Sequence, residues 1–598
     1  MWARLAGVVL AVSLVAAGAP VRAASPSPAE THDHGSHDHD AGPGADDGLG
    51  DHGDTEGLKL VAARGESVVR DAPGCDAGAA RRSYDVVALA AEITLNRYLD
   101  HDPQGRIYAL AGDVDRVRAE VVRNAQARAA TGVGDPAVSL GLQGDAIQPL
   151  TLRTRPGECL RITLRNDLVD EPASLHLHGA GLTVAGTGAA ALATNPDATA
   201  RPGQTATYEW LVPADQPEGS HYFHSHGDER VQTSHGLFGA VVVEPPGSTW
   251  TDPLSGQALA TGWAAVVTGA DGRSFREFAL YYHEIGNENY QLRNRAGELI
   301  PLVDPILSSY RPGSRAINYR SEPFMNRLAL QQSTGGMSDE SLSYSSYTFG
   351  DPATPIARTY LGDPVKQRVI HGGSEVFHVH HVHGGAIRWR RQPGTENDAT
   401  SSGLDKHPPL LPQASERLDS QGLGPSESFD VENECGAGGC QQSPGDYLFH
   451  CHVAQHYFAG MWAIWRVYNT AQVVGASTDG LPPLPELPDR RGAMAPAVTS
   501  DRLVDSTVDS YGVRTTIGAA DLAGWVQRQL PPAGVPRGYD ASVLDWQRRG
   551  DTYLQEPETD QAWPGYQPRA PGQRPPILFD PRTGKLAYPS MRPHLGKR

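Results

Sequence analysis

The sequence predicts an all-β protein that contains two consecutive β-sandwiches or barrels. Short β-branched or apolar runs alternate with Gly, Pro and Asp from about residue 82 to 245, and again from about 255 to 470. Short strands bounded by turn residues are typical of such folds. Histidine motifs recur in matching positions of both stretches, which indicates one fold used twice. The predicted strands include Tyr84–Ala88, Leu150–Arg153, Leu160–Leu164, Thr207–Leu211, Ala240–Val243, Glu277–Tyr282, Gln367–Ile370, Ser428–Val431 and Trp462–Tyr468.

The composition fits a protein with more than one hydrophobic core. The chain has 598 residues, 39% of them hydrophobic, and a formal net charge of −18. A chain of this length exceeds what one core usually supports. The acidic balance argues against a nucleic-acid binder, which needs clustered Lys and Arg to contact phosphates. The unusual feature of the composition is the number of histidines, 23 against 5 cysteines, and it requires an explanation.

The N-terminal residues have the pattern of a secretory signal peptide. Met1–Arg4 provide a positive start, Leu5–Ala19 an apolar run, and Val21-Arg22-Ala23 a small-residue site that a signal peptidase could cut. The apolar run is too short to span a bilayer comfortably. We therefore predict a secreted or extracytoplasmic chain with no membrane span. An uncleaved membrane anchor is the alternative.

Two polar segments are predicted to flank the β domains. The leader is rich in His, Asp and Gly and cannot bury a core. It is interpreted as a solvated segment, with a weak metal-collecting tail as the alternative. The C-terminal extension is rich in Pro and predicts one helix near Ala520–Gln529. The predicted order is a signal peptide at 1–23, a leader at 24–80, a first domain at 81–250, a second domain at 251–472 with an insertion near 285–355, and an extension at 473–598.

The five cysteines divide into one candidate ligand and four that can pair. An oxidising compartment permits disulfides. Cys451 lies between two histidines, which suits a metal thiolate. Cys435 and Cys440 flank a short Gly-rich loop, and Cys75 with Cys159 would tie the N-terminal segment to a strand. Because pairing cannot be deduced from a sequence, both bonds are hypotheses.

Four His-x-His pairs predict a metal cluster. Residues i and i+2 of a strand project from the same face, so each pair is a two-pronged ligand. A single pair is more often structural than ligating. Four pairs in duplicated positions favour a metal site, since His is seldom used this densely elsewhere. The pairs are His176/His178, His224/His226, His381/His383 and His450/His452.

Strand parity predicts a second kind of site behind this cluster. Cys451 lies between the last two of these histidines and therefore points to the opposite face of its strand. His378 has the same opposite parity, and the following loop can return His456 and Met461 to the sulfur. One thiolate, two imidazoles and a weak thioether are the ligands of a blue-copper electron-transfer site.

In this chain order the motifs resemble the four copper signatures of the multicopper oxidases. They read His-x-His-Gly, His-x-His, His-x-x-His-x-His and His-Cys-His-x-x-x-His-x-x-x-x-Met, between about 82 and 470. The resemblance implies cupredoxin domains, which are Greek-key β-barrels. It also implies one-electron oxidation of a reducing substrate coupled to four-electron reduction of O₂ to water.

The resemblance further implies four coppers per functional unit and a role for each ligand. Cys451, His450 and His452 would form the catalytic electron path. A type 1 copper would be bound by His378, Cys451, His456 and Met461. A type 2 copper would be bound by His176 and His381, and a type 3 pair by His178, His224, His226, His383, His450 and His452.

The remaining polar residues of these motifs carry weaker expectations. Ser225 stands where the second half has Cys451, and a hydroxyl cannot replace a soft thiolate. A type 1 copper is therefore expected only in the second domain. Parity predicts that His380 points away from the cluster. Asp197 and Asp228 are candidate proton donors by proximity in sequence alone. His221, His283 and His371 are expected to be structural or supporting residues. His235 and His380 stand near assigned ligands and are the alternatives to them in this assignment.

Several alternatives stay open at this stage. Two domains with an insertion resemble the two-domain laccases, which implies a homotrimer whose copper cluster lies between subunits. A compact three-domain monomer is the second reading. Phenols and aromatic amines are the default substrates, with Mn(II) or Cu(I) as alternatives. A copper-binding protein without turnover is another possibility. A copper nitrite reductase is less favoured, because its thiolate belongs in the first domain.

Overall fold

The computed structural model describes two β-sandwiches that follow each other in the chain. The predicted signal peptide and the helix near Ala520–Gln529 lie outside the described residues. None of the helices that are described has both the length and the apolar character needed to cross a membrane. The structure describes residues 75, 78–130, 138–178, 183–185, 199–286, 292–333, 343–344, 351–383, 389–391, 417–433, 435–439, 445–468, 471–472, 481–494, 507–508, 514–515, 578–580 and 585–587.

The first sandwich has two main sheets around an apolar core. One sheet has the order β4-β1-β6-β9-β8 and the other β5-β11-β10-β7, while β2 and β3 form a separate pair. Leu152, Ile162 and Phe223 are among the side chains buried between the sheets. The strands are β1 (Arg81–Ala90), β2 (Ile93–Thr94), β3 (His101–Asp102), β4 (Arg106–Leu110), β5 (Leu150–Thr154), β6 (Cys159–Asn166), β7 (His176–Leu177), β8 (Thr183–Ala185), β9 (Thr205–Leu211), β10 (Gly219–His224) and β11 (Phe238–Val243).

The second sandwich repeats this arrangement. One sheet has the order β12-β13-β14-β17-β22-β19-β20 with β15 beside β14, and the other β16-β24-β23-β18-β21. The strands are β12 (Thr249–Thr251), β13 (Ala264–Thr268), β14 (Ser274–Glu284), β15 (Arg315–Ile317), β16 (Ile356–Tyr360), β17 (Val365–His371), β18 (His378–Val382), β19 (Trp389–Arg391), β20 (Arg417–Leu418), β21 (Ser420–Leu423), β22 (Ser428–Asn433), β23 (Gly445–Cys451) and β24 (Trp462–Tyr468). Two strand pairs follow, β25 (Thr507–Val508) with β26 (Arg514–Thr515), and β27 (Leu578–Asp580) with β28 (Lys585–Ala587). Each strand segment predicted above falls within an observed strand.

Helices are few and lie between strands. The longest described helix, α1, was not predicted, although its sequence is rich in Ala, Arg, Glu and Gln, which favour helices. It buries Val114 and Val117. The helices are α1 (Val114–Ala129), α2 (Glu229–Ser234), α3 (Phe324–Ser333) and α4 (Ala454–Phe458), and short 3-10 turns occur at Ala111–Asp113, Leu140–Leu142 and Pro488–Arg490.

The predicted insertion near 285–355 carries little regular structure among its described residues. These residues contain β15 and α3, and no further β-sandwich. Phe324 and Leu328 of α3 pack against Leu448 and Trp462 on the outer face of the β23 sheet. The described part of the insertion therefore covers one face of the second domain.

Cysteine pairing agrees with the sequence hypothesis where it is described. Cys75 and Cys159 form a disulfide with a Cα–Cα distance of 5.6 Å, so that prediction is confirmed. Cys435 is disulfide-bonded, while its predicted partner Cys440 lies outside the described residues. Cys451 is a free, buried thiol.

The two sandwiches stack in a fixed order of layers within one unit of the chain, Ser67–Arg598. Alternate residues of the β10 sheet, Tyr222 and Phe238, pack against Tyr281 and Ile370 of the β17 sheet. The β17 sheet in turn packs across the second core on the β23 sheet, through residues such as Val369. Face-to-face sheets stand about 10 Å apart. The β17 sheet and the second core therefore separate the β10 sheet from the β23 sheet.

Buried charges join the two domains at this interface. The Arg368 guanidinium on β17 donates to Glu277 at 2.9 Å and pairs with Asp430 at 3.2 Å, and it also contacts Glu218 of the first domain. Although burial opposes it, Arg368 and Arg153 hold the pKa of Glu277 at about 2. The ion-pair network therefore depends on both arginines.

Replacing Arg368 by Met is expected to destabilise the protein by about 3–5 kcal/mol, because the substitution leaves buried carboxylates without their cation. Denaturant unfolding of both proteins measures the difference. Arg273→Met is the control, since Arg273 is an exposed residue 3.8 Å from Asp271 and such pairs contribute about 0–1 kcal/mol. Equal unfolding midpoints for the two variants would contradict the interface role of Arg368.

Candidate metal centre

Three ligand atoms converge inside the second sandwich, and we call His378, Cys451 and His456 the thiolate triad. Cys451 Sγ lies 3.3 Å from His456 Nδ1 and 3.9 Å from His378 Nδ1, and the two Nδ1 atoms are 3.2 Å apart. Three donors that each lie about 2.0–2.3 Å from one metal ion in a trigonal arrangement are separated from one another by distances close to those observed here. The triad therefore fits a single metal ion.

Pairing between β18 and β23 places this triad. The strands are antiparallel, with His380 opposite Cys451 and His381 opposite His450. His378 and Cys451 project into the second core, as parity predicts. A tight turn through α4 then returns the chain, because Met461 N donates to His456 O at 3.0 Å and Cys451 N donates to Met461 O at 3.1 Å.

Burial keeps the triad neutral in the absence of a cation. Burial lowers the pKa of His378 to about 4 and that of His456 to about 3. It raises the pKa of the Cys451 thiol to about 11. Neutral imidazoles have the lone pairs that metal ligation needs, and a bound cation deprotonates a coordinating thiol. A soft thiolate with two imidazoles is the donor set that copper prefers.

The first histidine group consists of His176, His178, His224 and His226. His178 Nε2 and His224 Nε2 are 3.2 Å apart, and the ring centroids of His176 and His226 are 4.6 Å apart. Burial lowers the pKa of His176 and His178 to about 4 and that of His224 to about 2. These rings are therefore neutral near pH 7, with lone pairs free for metal ions.

The second histidine group consists of His381, His383, His450 and His452. His383 Nε2 and His450 Nε2 are 2.8 Å apart, and the ring centroids of His381 and His452 are 4.9 Å apart. His450 Nδ1 bonds to Cys451 O at 2.7 Å, and His381 Nδ1 bonds to Asp419 O at 2.8 Å. These bonds direct the Nε2 atoms of both rings into the group.

The two histidine groups lie on different sheets, on opposite sides of the second sandwich. Phe449 and Cys451 point into the second core, whereas Leu448 packs on the outer face of the β23 sheet. His450 has the parity of Leu448, so the second group lies on that outer face. His224 has the parity of Tyr222, so the first group lies on the face of the β10 sheet that is directed at the second domain.

The thickness of the second sandwich therefore separates the groups, by at least about 10 Å. In the part of the chain that the structure describes, no metal-compatible triad of His, Cys or carboxylates draws on both groups. A single chain thus presents two half-sites of four imidazoles each.

Carboxylates also lie close to these sites, and sequence reasoning did not single them out. Glu229 on α2 lies 3.5 Å from His224 Nδ1 and 3.7 Å from His226 Nδ1, and its side chain is 49% exposed. The candidate acid Asp228 caps α2 by accepting from Val231 N at 3.4 Å. Asp197 lies outside the described residues. The position of Glu229, three residues after His226 on a helical first turn, was the available signal.

Glu284 is a second unforeseen carboxylate, located beside the thiolate triad. Its Oε2 lies 3.3 Å from His378 Nε2. Burial alone would raise the pKa of Glu284, but hydrogen bonds to His378 and to the Glu375 N–H hold that pKa well below its ordinary value. Glu284 comes 94 residues before His378, and no local pattern connects them.

Other residues of the motifs have structural partners. Tyr282 OH lies 2.6 Å from His380 Nδ1, and His380 Nε2 lies 2.9 Å from Gln367 Oε1, so His380 points into the core as predicted. His235 Nδ1 lies 2.9 Å from Asp102. Ser225 Oγ accepts from Ser174 N at 3.1 Å and from Gly227 N at 3.0 Å.

His283 and His371 also have hydrogen-bond or ring partners among the described residues, and His221 is buried. His283 Nε2 accepts from Tyr319 N at 3.1 Å. The His371 ring stacks on that of His378 at 4.7 Å. His221 is buried, and neither of its ring nitrogens makes a hydrogen bond to a described residue. Of these three histidines, His371 is therefore the one that contacts a predicted metal ligand, His378.

Comparison with known families agrees with the arrangement of these donors. Two models of multicopper oxidase domains match residues 125–248 and 323–471, and these ranges contain the two histidine groups and the thiolate triad. The chain belongs to the multicopper oxidase family. Membership of this family implies copper binding, and the two sandwiches are the cupredoxin domains of this all-β fold.

This multicopper oxidase is similar to curated proteins over part of their length. A probable nitrite reductase-hydroxylamine oxidoreductase fusion protein of Kuenenia stuttgartiensis is 25% identical over 340 residues, which are 56% of this chain and 29% of that protein. L-ascorbate oxidase of Cucumis sativus is 31% identical over 110 residues, which are 18% of this chain and 17% of that enzyme. The matched part of the chain thus spans less than a third of either relative.

Among solved structures, a crystal structure of a multicopper oxidase is 15% identical and superposes with a TM-score of 0.36. The match covers 66% of this chain and 92% of the chain of that multicopper oxidase.

Proposed function

We propose that this multicopper oxidase couples one-electron oxidation of a reducing substrate to the four-electron reduction of O₂ to water. The observation that supports it best is the position of Cys451. Its sulfur belongs to the buried thiolate triad, while its sequence neighbours His450 and His452 belong to the second histidine group. Because Cys451 is bonded through the backbone to both histidines, a covalent path connects the thiolate triad to the second histidine group.

The proposed assignment of ligands follows from these three sets. The thiolate triad with Met461 would hold a type 1 copper, which supplies one-electron redox chemistry. The two histidine groups together would hold one type 2 and two type 3 coppers, which would supply electrons for O₂ reduction. Storage of four electrons in four coppers matches the requirement of O₂.

The separation of the half-sites supports a cluster shared between chains. Each half-site offers four imidazoles, and the second sandwich keeps the two half-sites apart within one chain. A cyclic assembly can place the first group of one copy against the second group of the next, because such an interface is heterologous and closes into a ring. We therefore favour a homotrimer with three shared clusters.

Electron uptake and proton supply have candidate residues on the surface. His456 is only 3% exposed, and the 42% exposed Tyr310 packs on its ring with centroids 5.6 Å apart. An aromatic donor, such as a phenol or an aromatic amine, could stack on Tyr310. Mn(II) and Cu(I) are the alternative donors. Glu229 is placed to pass protons from solvent toward His224 and His226.

Other classes fit the residues less well. A copper nitrite reductase would need a thiolate in the first domain, where Ser225 accepts two backbone N–H groups instead. A copper carrier without turnover would have no use for the path through Cys451. We further propose that the protein acts outside the cytoplasm, since its N-terminus has the pattern of a signal peptide.

Oxygen uptake by copper-loaded protein tests the proposal. With a phenol such as 2,6-dimethoxyphenol, we expect four donor electrons to be consumed per O₂, with no hydrogen peroxide released. Removal of copper by a chelator should reduce the rate to background, and added copper should restore it, because the redox centres are the metal ions themselves. Parallel assays with Mn(II), Cu(I) and nitrite identify the substrates. Fully loaded protein that consumes no O₂ with any donor would reject the oxidase function.

A further inference from the structure

The predicted type 1 ligand His378 has a distinct partner on each side of its ring. Nδ1 faces Cys451 Sγ and His456 Nδ1, so its lone pair is directed at the metal position. Nε2 faces Glu284 Oε2 at 3.3 Å. A ring whose Nδ1 binds a metal carries its proton on Nε2, and that N–H donates to the carboxylate.

Glu284 is held rigidly behind this ring. It is the last residue of β14 and is 1% exposed. Its Oε1 accepts from Ser374 N at 2.6 Å and from Glu375 N at 2.5 Å. Gly373 is required beside it, because a Cβ at that position would lie 2.2 Å from Oε2. The loop after β17 is thus shaped around one carboxylate.

His371 packs on the ring of His378 and does not hydrogen-bond to the carboxylate, while the Arg315 guanidinium interacts with Glu284 through charge alone. The His371 ring stacks on His378 at 4.7 Å. His371 Nε2 donates to Val376 O at 2.6 Å, and its Nδ1 accepts from Gly373 N at 3.1 Å. Both ring nitrogens are therefore engaged with backbone groups, and among the described residues His378 is the side chain that hydrogen-bonds to Glu284.

We propose that Glu284 is a positioning residue that orients His378 and lowers the reduction potential of the metal bound by the thiolate triad. The inference rests on the proposed type 1 copper. A fixed negative charge in a site of low dielectric favours the more positive, oxidised state of a nearby ion. The N–H···carboxylate bond also makes the imidazole more basic, which favours the same state.

A redox titration of the full-length, copper-loaded protein tests this role. Glu284→Gln keeps the size of the side chain and removes its charge. We expect the blue absorption band to remain and the equilibrium constant for one-electron reduction to rise about tenfold, which corresponds to about 59 mV. Glu284→Asp should stay closer to the wild-type potential because it keeps the charge. Glu432→Gln, which changes a carboxylate 39% exposed on β22, is the control and should leave the potential unchanged.

The outcomes separate the two proposals. Wild-type protein that shows no blue band after copper loading contradicts the proposed function itself. A blue Glu284→Gln protein with the wild-type potential overturns the role of Glu284. If that variant does not fold, Gly373→Ala provides the second test, since its methyl group displaces the carboxylate from His378. An unchanged potential in blue Gly373→Ala protein would also overturn the inference.

Discussion

Cys451→Ser is expected to abolish the intense blue absorption and to reduce O₂ uptake to background. A hydroxyl cannot supply the soft thiolate that gives the type 1 site its charge-transfer band. The same change removes the sulfur that would join a type 1 copper to the bonded path toward the second histidine group. Both histidine groups stay intact, so about three of four coppers should remain bound. Absorption spectra, copper analysis and oxygen uptake on the same preparation measure the effect.

Ser225→Ala is the matched control for this substitution. Ser225 occupies the corresponding position in the first domain and accepts two backbone N–H groups. Its loss should lower stability and leave the blue band in place. A Cys451→Ser protein that remains blue would show that the thiolate triad is not the type 1 site.

Mixing two inactive chains is expected to restore activity if the cluster is shared. One chain carries His176→Ala and His178→Ala, and the other carries His450→Ala and His452→Ala. Each chain alone lacks one half-site and should be inactive. In a mixed cyclic trimer, one of the three interfaces joins two intact half-sites. Because three quarters of randomly assembled trimers are mixed, we expect about a quarter of wild-type activity.

The arrangement of affinity tags provides the control for this experiment. Different tags on the two chains allow mixed trimers to be isolated and their composition to be verified. Isolated mixed trimers should have about a third of wild-type activity, since each contains one complete cluster. Verified mixed assemblies that stay at background would mean that each cluster is formed within a single chain.

The sequence located most of the candidate site because strand parity depends only on neighbouring residues. Along β18 the buried positions are His378, His380 and Val382, while His381 faces outward. Parity also places Cys451 and His450 on opposite faces of β23. These relations span a few residues of one strand, so a two-residue period is sufficient to predict them.

The same reasoning failed where the partners are distant in sequence. Glu284 and His371 reach His378 only because β14 and β17 are parallel neighbours, with Tyr282 opposite His371. Glu229, which lies close to His224 and His226, was not among the candidate acids, since distance along the chain could not show which acidic side chain faces these rings. The helix α1 was missed because the surrounding strands dominated the pattern.

The sequence by itself determined which side chains can bind copper, in what order they occur, and that the thiolate stands back to back with two imidazoles. Only the tertiary structure decided where the two histidine groups lie. The apolar face of the β10 sheet is buried against the β17 sheet, which places a whole sandwich between the groups. The choice of packing face depends on contacts between residues far apart in the chain, and no local period encodes it.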